Sequence, residues 1–230
     1  MNKAARGARA SKLTVIDAAL ALVNRRGFAA LTIRRLAADV GAPPMSLYAH
    51  FASKEQLQDL MFDRLIQRLF PPHGGSSWQH EFETAGHHAR RELLAHPNWI
   101  PLLTRPVVPI SSLGFYDHLL RLMIDDGFRR AAAIHAFSSA MSFAIGFVLT
   151  ERMMTSRHGV VVPLERLARL KEAIPHFPPG TLRYIASANA ALDEWSFDRV
   201  FDLGLQSLIV GIESSFVRAP HKAKKRHRLS

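Results

Sequence analysis

The stretch that decides the fold is residues 32–51, TIRRLAADVGAPPMSLYAHF. It places a short helix, a turn of about four residues that contains Gly41, and a second short helix in succession, which is helix-turn-helix geometry. Thr32 is a good N-cap for the first helix. Pro44 suits the opening of the second because proline lacks the N–H that a first turn leaves unpaired, and Met45 to His50 are predicted to complete that helix. The segment is therefore predicted to bind DNA, although a hairpin of two core helices shares the pattern.

The helices on either side supply the rest of a small domain. Apolar residues at helical spacing predict a preceding helix that ends at Gly27. Ser53 to Gln56 form a capping-box pattern at the start of a longer following helix. We expect the side chains at positions 46 and 48–50 to be free to enter a major groove. The expected inward-facing core consists of Ile16, Leu20, Phe28, Leu36, Ala37, Val40, Leu47 and Phe51.

Positive charge is concentrated at the two ends of the chain. The net charge is +11, of which residues 1–54 carry +7, residues 55–217 carry −2 and residues 218–230 carry +6. Such a distribution is expected if the ends meet a polyanion such as DNA, and a generic basic surface with a solvated tail is the alternative. The C-terminal run has no periodic apolar face and is predicted to be disordered.

Residues 11–65 resemble the Tet-repressor family. The resemblance rests on Gly27-Phe28, on LTIRRLA from Leu31 to Ala37, on Gly41, on Leu47-Tyr48-x-His50-Phe51 and on Lys54. It implies an all-α fold, with an N-terminal three-helix helix-turn-helix DNA-binding domain and a larger helical ligand-binding and dimerisation domain. Together with a loop-like run at residues 71–77, it predicts domains at 1–70 and 71–217, followed by the basic tail at 218–230.

The same resemblance implies which residues contact DNA. It places Thr32 and Arg34 where the family contacts a phosphate or a base edge from the second helix. The recognition-helix and phosphate-contact positions are occupied by Pro44, Met45, Ser46, Tyr48, Ala49, His50 and Lys54. Pro44, Met45 and Ala49 replace hydrogen-bonding side chains and offer only apolar contact, such as with a thymine methyl group. Tyr48 as a core aromatic and His50 as a surface cap are the alternatives.

After residue 70 the resemblance rests on His96-Pro97-x-Trp99 and on the order of the helices. It implies that a small-molecule effector, which the sequence does not identify, releases the protein from operator DNA. Ligand pockets combine bulky apolar walls with a few polar groups, and each apolar candidate taken singly has a core role as its alternative. The candidate lining residues are His87, Arg91, Leu94, Trp99, Leu102, Phe115, His118, Leu122, Phe137, Met141, Phe147 and Tyr184.

A homodimer is expected because one helix-turn-helix reads too few base pairs, whereas a two-fold dimer reads two half-sites. The resemblance implies an intersubunit four-helix bundle, to which each chain contributes a helix near Ala132 to Met153 and a final helix near Ser196 to Phe216. Small residues recur there at helical spacing, and packing of this small face within one subunit is the alternative. They are Ser139, Ser142, Gly146, Gly204, Ser207 and Gly211.

Other classes of protein are not indicated. The sequence has no cysteine nucleophile, nucleophile elbow, phosphate-binding loop or H-E-x-x-H motif, so we do not expect an enzyme. His80 and His87 share a helix face but lack a carboxylate at the spacing of a compact site, so no metal or other cofactor is expected. Without a signal peptide or an unbroken apolar stretch of about 18 residues, we expect a cytoplasmic protein that does not enter a membrane.

Overall fold

The computed structural model describes residues 11–71, 74–106, 108–155, 162–178, 180–188 and 194–215. These residues form helices and contain no strand, which confirms the predicted fold class. The α-helices are α1 Lys12–Arg26, α2 Ile33–Val40, α3 Pro44–Leu47, α4 Lys54–Leu69, α5 Trp78–Ala95, α6 Leu113–Asp125, α7 Arg130–Thr155, α8 Val162–Ala173, α9 Arg183–Ser187 and α10 Phe197–Ser215. Short 3-10 helices span Phe28–Ala30, Pro97–Thr104, Ile110–Ser112 and Ile174–His176.

The N-terminal helices begin and end at the predicted capping residues. Gly27 follows α1 with φ 77°, and Gly41 follows α2 in the left-handed region with φ 67°, where a side chain would be strained. The Thr32 hydroxyl accepts the Arg35 N–H at 3.3 Å, and the Ser53 hydroxyl accepts the Gln56 N–H at 3.1 Å. Short-range capping therefore sets the boundaries of α1, α2 and α4.

The third helix is shorter than predicted. The sequence predicted helix from Met45 to His50, whereas α3 ends at Leu47 and the next three residues form a turn. The His50 N–H donates to the Leu47 carbonyl at 2.9 Å, which is the i→i+3 pattern that tightens helix ends. The recognition element is therefore one helical turn followed by a tight turn.

The chain divides into two compact units, Met1–Ser76 with His87–Arg121 and Ser77–Gly86 with Leu122–Ser230. In the first unit, α1 packs against α2 and α4, and fully buried leucines fill the space between them. Phe70 after α4 stacks on Phe115 of α6 with ring centroids 5.9 Å apart. The helix-turn-helix thus rests on an apolar base that also includes α6.

In the second unit, aromatic side chains form the contacts between α7 and α10. Phe201 is fully buried, and its ring lies 5.6 Å from that of Phe143 and 5.1 Å from that of Phe147. Trp78 packs edge-on against Phe128 and donates its indole N–H to Asp126 at 3.1 Å. The second unit therefore has an aromatic core of its own.

One residue of the predicted small-residue face packs within the chain. A Cβ atom on Gly204 would lie 2.6 Å from the Phe143 ring, so Gly204 faces α7 of its own subunit. The alternative of packing within one subunit therefore applies to Gly204, because the absent side chain makes room for Phe143. A Cβ on Gly146 or Gly211 would have no neighbour within 4 Å, and Ser139, Ser142 and Ser207 are exposed.

Helix α7 is unusually apolar for a helix that is largely uncovered. Among the described residues it alone is long and apolar enough to cross a membrane by length and composition, and 28% of its most apolar 18-residue window is buried. Ile134 near its start and Met153 near its end are 51% and 80% exposed. The sequence predicted no segment of this kind, so the exposed apolar face of α7 needs an explanation.

The predicted tail at 218–230 and the end of the final helix at Phe216 lie outside the described residues.

Candidate nucleic-acid interface

Buried side chains of α2 and α3 fix the orientation of the helix-turn-helix. Leu36, Ala37, Leu47 and Phe51 are at most 3% exposed, as predicted, whereas Val40 and Phe28 are half-buried. This packing directs the opposite side of α3 to solvent. There Met45 is 78% exposed and Tyr48 is 45% exposed, while Pro44 and Ala49 are also exposed and His50 is half-buried.

Two hydroxyl groups at the interface already serve the local backbone. Ser46 donates its hydroxyl to the Pro43 carbonyl at 2.7 Å, which uses the only proton that this side chain could offer to a base. The Thr32 oxygen accepts the Arg35 N–H, but its hydroxyl proton remains available for a phosphate oxygen. Ser46 can therefore only accept a hydrogen bond from DNA, whereas Thr32 can donate one.

Cations surround the exposed side of α2 and α3. Arg34 is exposed and makes no hydrogen bond or ion pair with any residue that the structure describes. Arg25, by contrast, pairs with Asp39 at 2.7 Å, and Arg35 donates to the Ala30 carbonyl at 3.4 Å. Lys54 is the first residue of α4, where the exposed amide groups and the helix dipole add to its positive potential. Arg34 can thus contact a phosphate without breaking an existing pair, whereas Lys54 also interacts with the neighbouring Glu55 carboxylate.

The 3-10 helix Pro97–Thr104 is tied to α1 by two hydrogen bonds. The indole N–H of Trp99, which is 2% exposed, donates to the Leu20 carbonyl at 3.1 Å. The Asn98 amide donates at 2.9 Å to the carbonyl of Asn24, in the last turn of α1, where carbonyls lack helical partners. A displacement of this segment would therefore pull directly on α1.

Further contacts tie the same region to α4. Arg105 donates to the Asp59 carboxylate at 2.6 Å and to the Gln58 side chain at 2.8 Å. His88 of α5 hydrogen bonds to the Arg68 carbonyl at the end of α4, at 2.9 Å. Sequence reasoning missed Asn98, Arg105 and His88, because pairs separated by 20 to 74 residues leave no local spacing signal.

The candidate ligand residues fall into both compact units. In the first unit, Trp99, Leu102 and Phe115 are buried, His87, Leu94 and His118 are half-buried, and Arg91 is exposed with a 2.8 Å contact to His88. In the second unit, Leu122, Phe137, Met141 and Phe147 are half-buried and Tyr184 is 84% exposed. Their role as a ligand-binding set stays a prediction.

A cleft of about 280 Å³ lies between α1 and α4, and it contains none of these candidates. Its walls include Leu13, Ile16 and Leu60, with Lys12 and Asp63 among the polar groups. Within the part of the chain that the structure describes, no three His, Cys, Asp or Glu side chains are grouped to hold a metal ion.

Family models match both parts of the chain. Residues 15–59 match the model described as bacterial regulatory proteins, tetR family, and residues 70–216 match that of the tetracyclin repressor-like C-terminal domain. Together these models cover the helix-turn-helix and almost all of the chain that follows it.

Individual proteins are similar over nearly the whole chain. The tetracycline repressor protein class D of Escherichia coli is 30% identical over 211 residues, which are 90% of each chain. An HTH-type transcriptional regulator of Saccharopolyspora erythraea is 28% identical over 206 residues, which cover 87% of this chain and 84% of the relative. The structure of ActR from Streptomyces coelicolor in complex with actinorhodin covers 90% of this chain and 96% of its own, with a TM-score of 0.73 and 22% identity, so it supports the fold.

Proposed function

Because this chain belongs to the tetR family of bacterial regulators, we propose that its α2–α3 surface binds operator DNA and that an effector bound in the C-terminal half weakens this binding. On this proposal it is a ligand-responsive transcriptional repressor with an all-helical fold. The observation that carries the assignment of the surface is an exposed recognition turn on a buried apolar base, with exposed Arg34 before it and exposed Lys54 after it in the sequence.

Phosphate and base contacts are divided between the two helices. Arg34, Lys54 and the Thr32 hydroxyl are suited to phosphate oxygens, and Arg34 also has the fork geometry for guanine. Met45, Tyr48 and His50 face the groove, with Pro44, Ser46 and Ala49 completing the contact surface. Phosphate contacts set the register of the protein on the duplex, and the groove-facing residues read the sequence.

Effector binding acts on DNA through Pro97–Thr104 and Arg105. These residues hold α1 and α4 through the Trp99, Asn98 and Arg105 hydrogen bonds. An effector that displaces them would reorient α1 and α4, and with them the recognition turn. The proposed effector contacts are the candidate lining residues of the first unit, namely His87, Arg91, Leu94, Trp99, Leu102, Phe115 and His118. Relatives named as tetracycline repressors make multi-ring aromatic compounds the first class to test.

The functional unit is a homodimer formed through α7 and α10. The exposed side of α7 consists largely of small residues, and the Ser138, Ser139 and Thr150 hydroxyls each donate to their own helix carbonyls at 2.9 Å. On α10, Leu203 and Val210 are 69% and 62% exposed. A second copy would cover this apolar surface while these three hydroxyl groups keep their partners, which also accounts for the apolar character of α7 without a membrane.

The protein acts in the cytoplasm, where its DNA lies, and it regulates without catalysis. Its family supports this proposal, and so does the absence of the hydrolase, phosphate-loop and zinc-protease motifs from the sequence. A membrane function would leave the basic, exposed helix-turn-helix without a purpose.

Selection of duplexes from a randomised pool by the full chain tests the DNA assignment. We expect a palindromic sequence to be enriched and to bind far more tightly than unrelated DNA at the same salt concentration. Tetracycline and actinorhodin then serve as probes for release, and a probe that acts must bind the operator-bound protein more weakly by the same factor, because coupling is reciprocal. A pool without enrichment would refute sequence-specific binding.

A further inference from the structure

The recognition turn offers unusually few hydrogen-bonding groups to a base. Pro44, Met45 and Ala49 have no hydrogen-bonding side chain beyond a weakly accepting thioether. Ser46, the polar residue between them, donates its hydroxyl to the Pro43 carbonyl at 2.7 Å. Tyr48 and His50 lie in the turn that follows α3, so the helical turn itself presents an apolar surface.

Met45 is the most exposed large hydrophobic side chain on this surface. It is 78% exposed, and it lies in the first turn of α3, the part of a recognition helix that contacts base edges. The charge of neighbouring residues identifies the partner that covers Met45. Arg34 and Lys54 are exposed nearby in sequence, and their positive charge complements a phosphate backbone. The occupant of this apolar surface is therefore the major groove of double-stranded DNA.

From these observations we infer that Met45 determines operator specificity by packing against a thymine methyl group in each half-site. The C5-methyl of thymine is the apolar feature of the major-groove edge, and the flexible thioether of methionine adapts to such a surface. The inference rests on the proposed function, since it names the base feature that the same surface reads.

Deoxyuridine isolates the methyl group, because it pairs as thymidine does and lacks only the C5-methyl. In the duplex selected from the random pool, each thymidine is replaced in turn by dU and the Kd of the full-length dimer is measured at constant salt. At one position in each half-site we expect affinity to fall about fourfold, which is on the order of 0.8 kcal/mol for one buried carbon group. Replacement in both half-sites should cost about 15-fold.

Variants at position 45 link the methyl group to this side chain. In Met45→Ala the same dU replacement should have no effect on Kd, because the partner of the methyl group is gone. Met45→Leu should retain the dU sensitivity. Met45→Gln, of similar length, should lose it and shift preference at that position toward adenine, which glutamine contacts through two hydrogen bonds. Val108→Ala, at a residue that is 64% exposed outside the helix-turn-helix, is the control and should keep wild-type dU sensitivity.

The possible failures can be separated. If no sequence is enriched from the pool, the proposed function fails. If a palindrome is enriched but no thymidine is sensitive to dU in the wild-type protein, the function stands and the methyl inference is overturned. Persistent dU sensitivity in Met45→Ala would assign methyl recognition to another residue and would likewise overturn it. The wild-type measurement does not depend on whether any variant folds.

Discussion

At the scale of single residues, exposure separates the groups that hold the recognition turn from those that can contact DNA. Leu47 and Phe51 are 1% and 3% exposed, whereas Tyr48 between them is 45% exposed. The Tyr48 ring still lies 6.0 Å from that of buried Phe51, so the partly exposed ring also contacts the core. The alternative that Tyr48 is a core aromatic therefore describes only part of this residue.

The first prediction concerns Tyr48 and His50. The Tyr48→Ala, His50→Ala double variant should lose specific operator binding while remaining folded, because neither side chain fills the core. Each lost contact should cost on the order of 1–3 kcal/mol, and Arg34→Ala should weaken binding as well. Fluorescence anisotropy gives the affinity and circular dichroism checks the fold.

The control is the His176→Ala, Phe177→Ala double variant, which removes two exposed side chains far along the sequence and should bind operator normally. Operator affinity equal to the wild type in the Tyr48, His50 variant at the same salt concentration would show that neither side chain faces the groove.

A second prediction at this scale concerns pH. Burial, with a smaller effect of the Asp63 charge, raises the pKa of Tyr116 in α6 to about 12. Since the folded protein holds this proton more tightly than the unfolded chain, the contribution to stability is complete below pH 10 and is lost as pH rises through 12. Tyr116→Phe should flatten the decline of unfolding free energy over this range in urea titrations. A decline of unchanged slope in Tyr116→Phe would argue against a buried, protonated Tyr116.

At the scale of helices, hydrogen bonds join the segment from Pro97 to Arg105 to the DNA-binding helices of the same unit. Trp99 and Asn98 hold carbonyls of α1, and Arg105 holds side chains of α4. Such links suit a regulator, because a small displacement at one segment reaches two helices.

The third prediction tests how α7 and α10 pack within one chain. Gly204→Ala should destabilise the protein by roughly 1–3 kcal/mol, because the new methyl group would lie 2.6 Å from the Phe143 ring. Gly114→Ala in α6 is the matched control, since its Cβ would have no neighbour within 4 Å and alanine favours a helix. If thermal melts gave the same melting temperature for Gly204→Ala and Gly114→Ala, the result would contradict this packing.

At the scale of the whole molecule, assembly determines whether the recognition surface can act. A single helix-turn-helix contacts one half-site, and two copies set about 34–36 Å apart read a palindrome. The proposed surface for that assembly is the exposed, largely neutral face of α7 together with the leucine and valine side chains on α10. Operator affinity should therefore depend on dimerisation.

The fourth prediction places a charge in the proposed interface. Ser207→Arg, and in a second variant Gly211→Arg, should bury an unpaired charge, cost several kcal/mol of association and yield monomers with weak operator binding. Light scattering reports the mass. Ala95→Arg, at an exposed position in the last turn of α5, is the control and should remain dimeric. A folded Ser207→Arg protein that stays a dimer would move the interface to another surface.

The sequence by itself determined the local features of this protein. Helix type, the caps at Thr32, Gly41 and Ser53, and the helix-turn-helix order all follow from residues three or four positions apart, and such spacing is visible in one chain. The same short-range pattern carried the family resemblance. It overestimated α3, because the choice between an α-turn and a tighter turn at Tyr48 depends on the packing of Leu47 and Phe51.

Only the tertiary structure decided which distant residues meet. Trp99 bonds to a carbonyl 79 residues away, Arg105 pairs with a side chain 46 residues away, and Gly204 makes room for the Phe143 ring. Each of these depends on the three-dimensional course of the backbone, which brings together groups whose separation along the chain has no period. Gly204 shows the consequence: small residues at regular spacing identify faces that permit close approach, but only the fold decides whether the neighbour comes from the same chain.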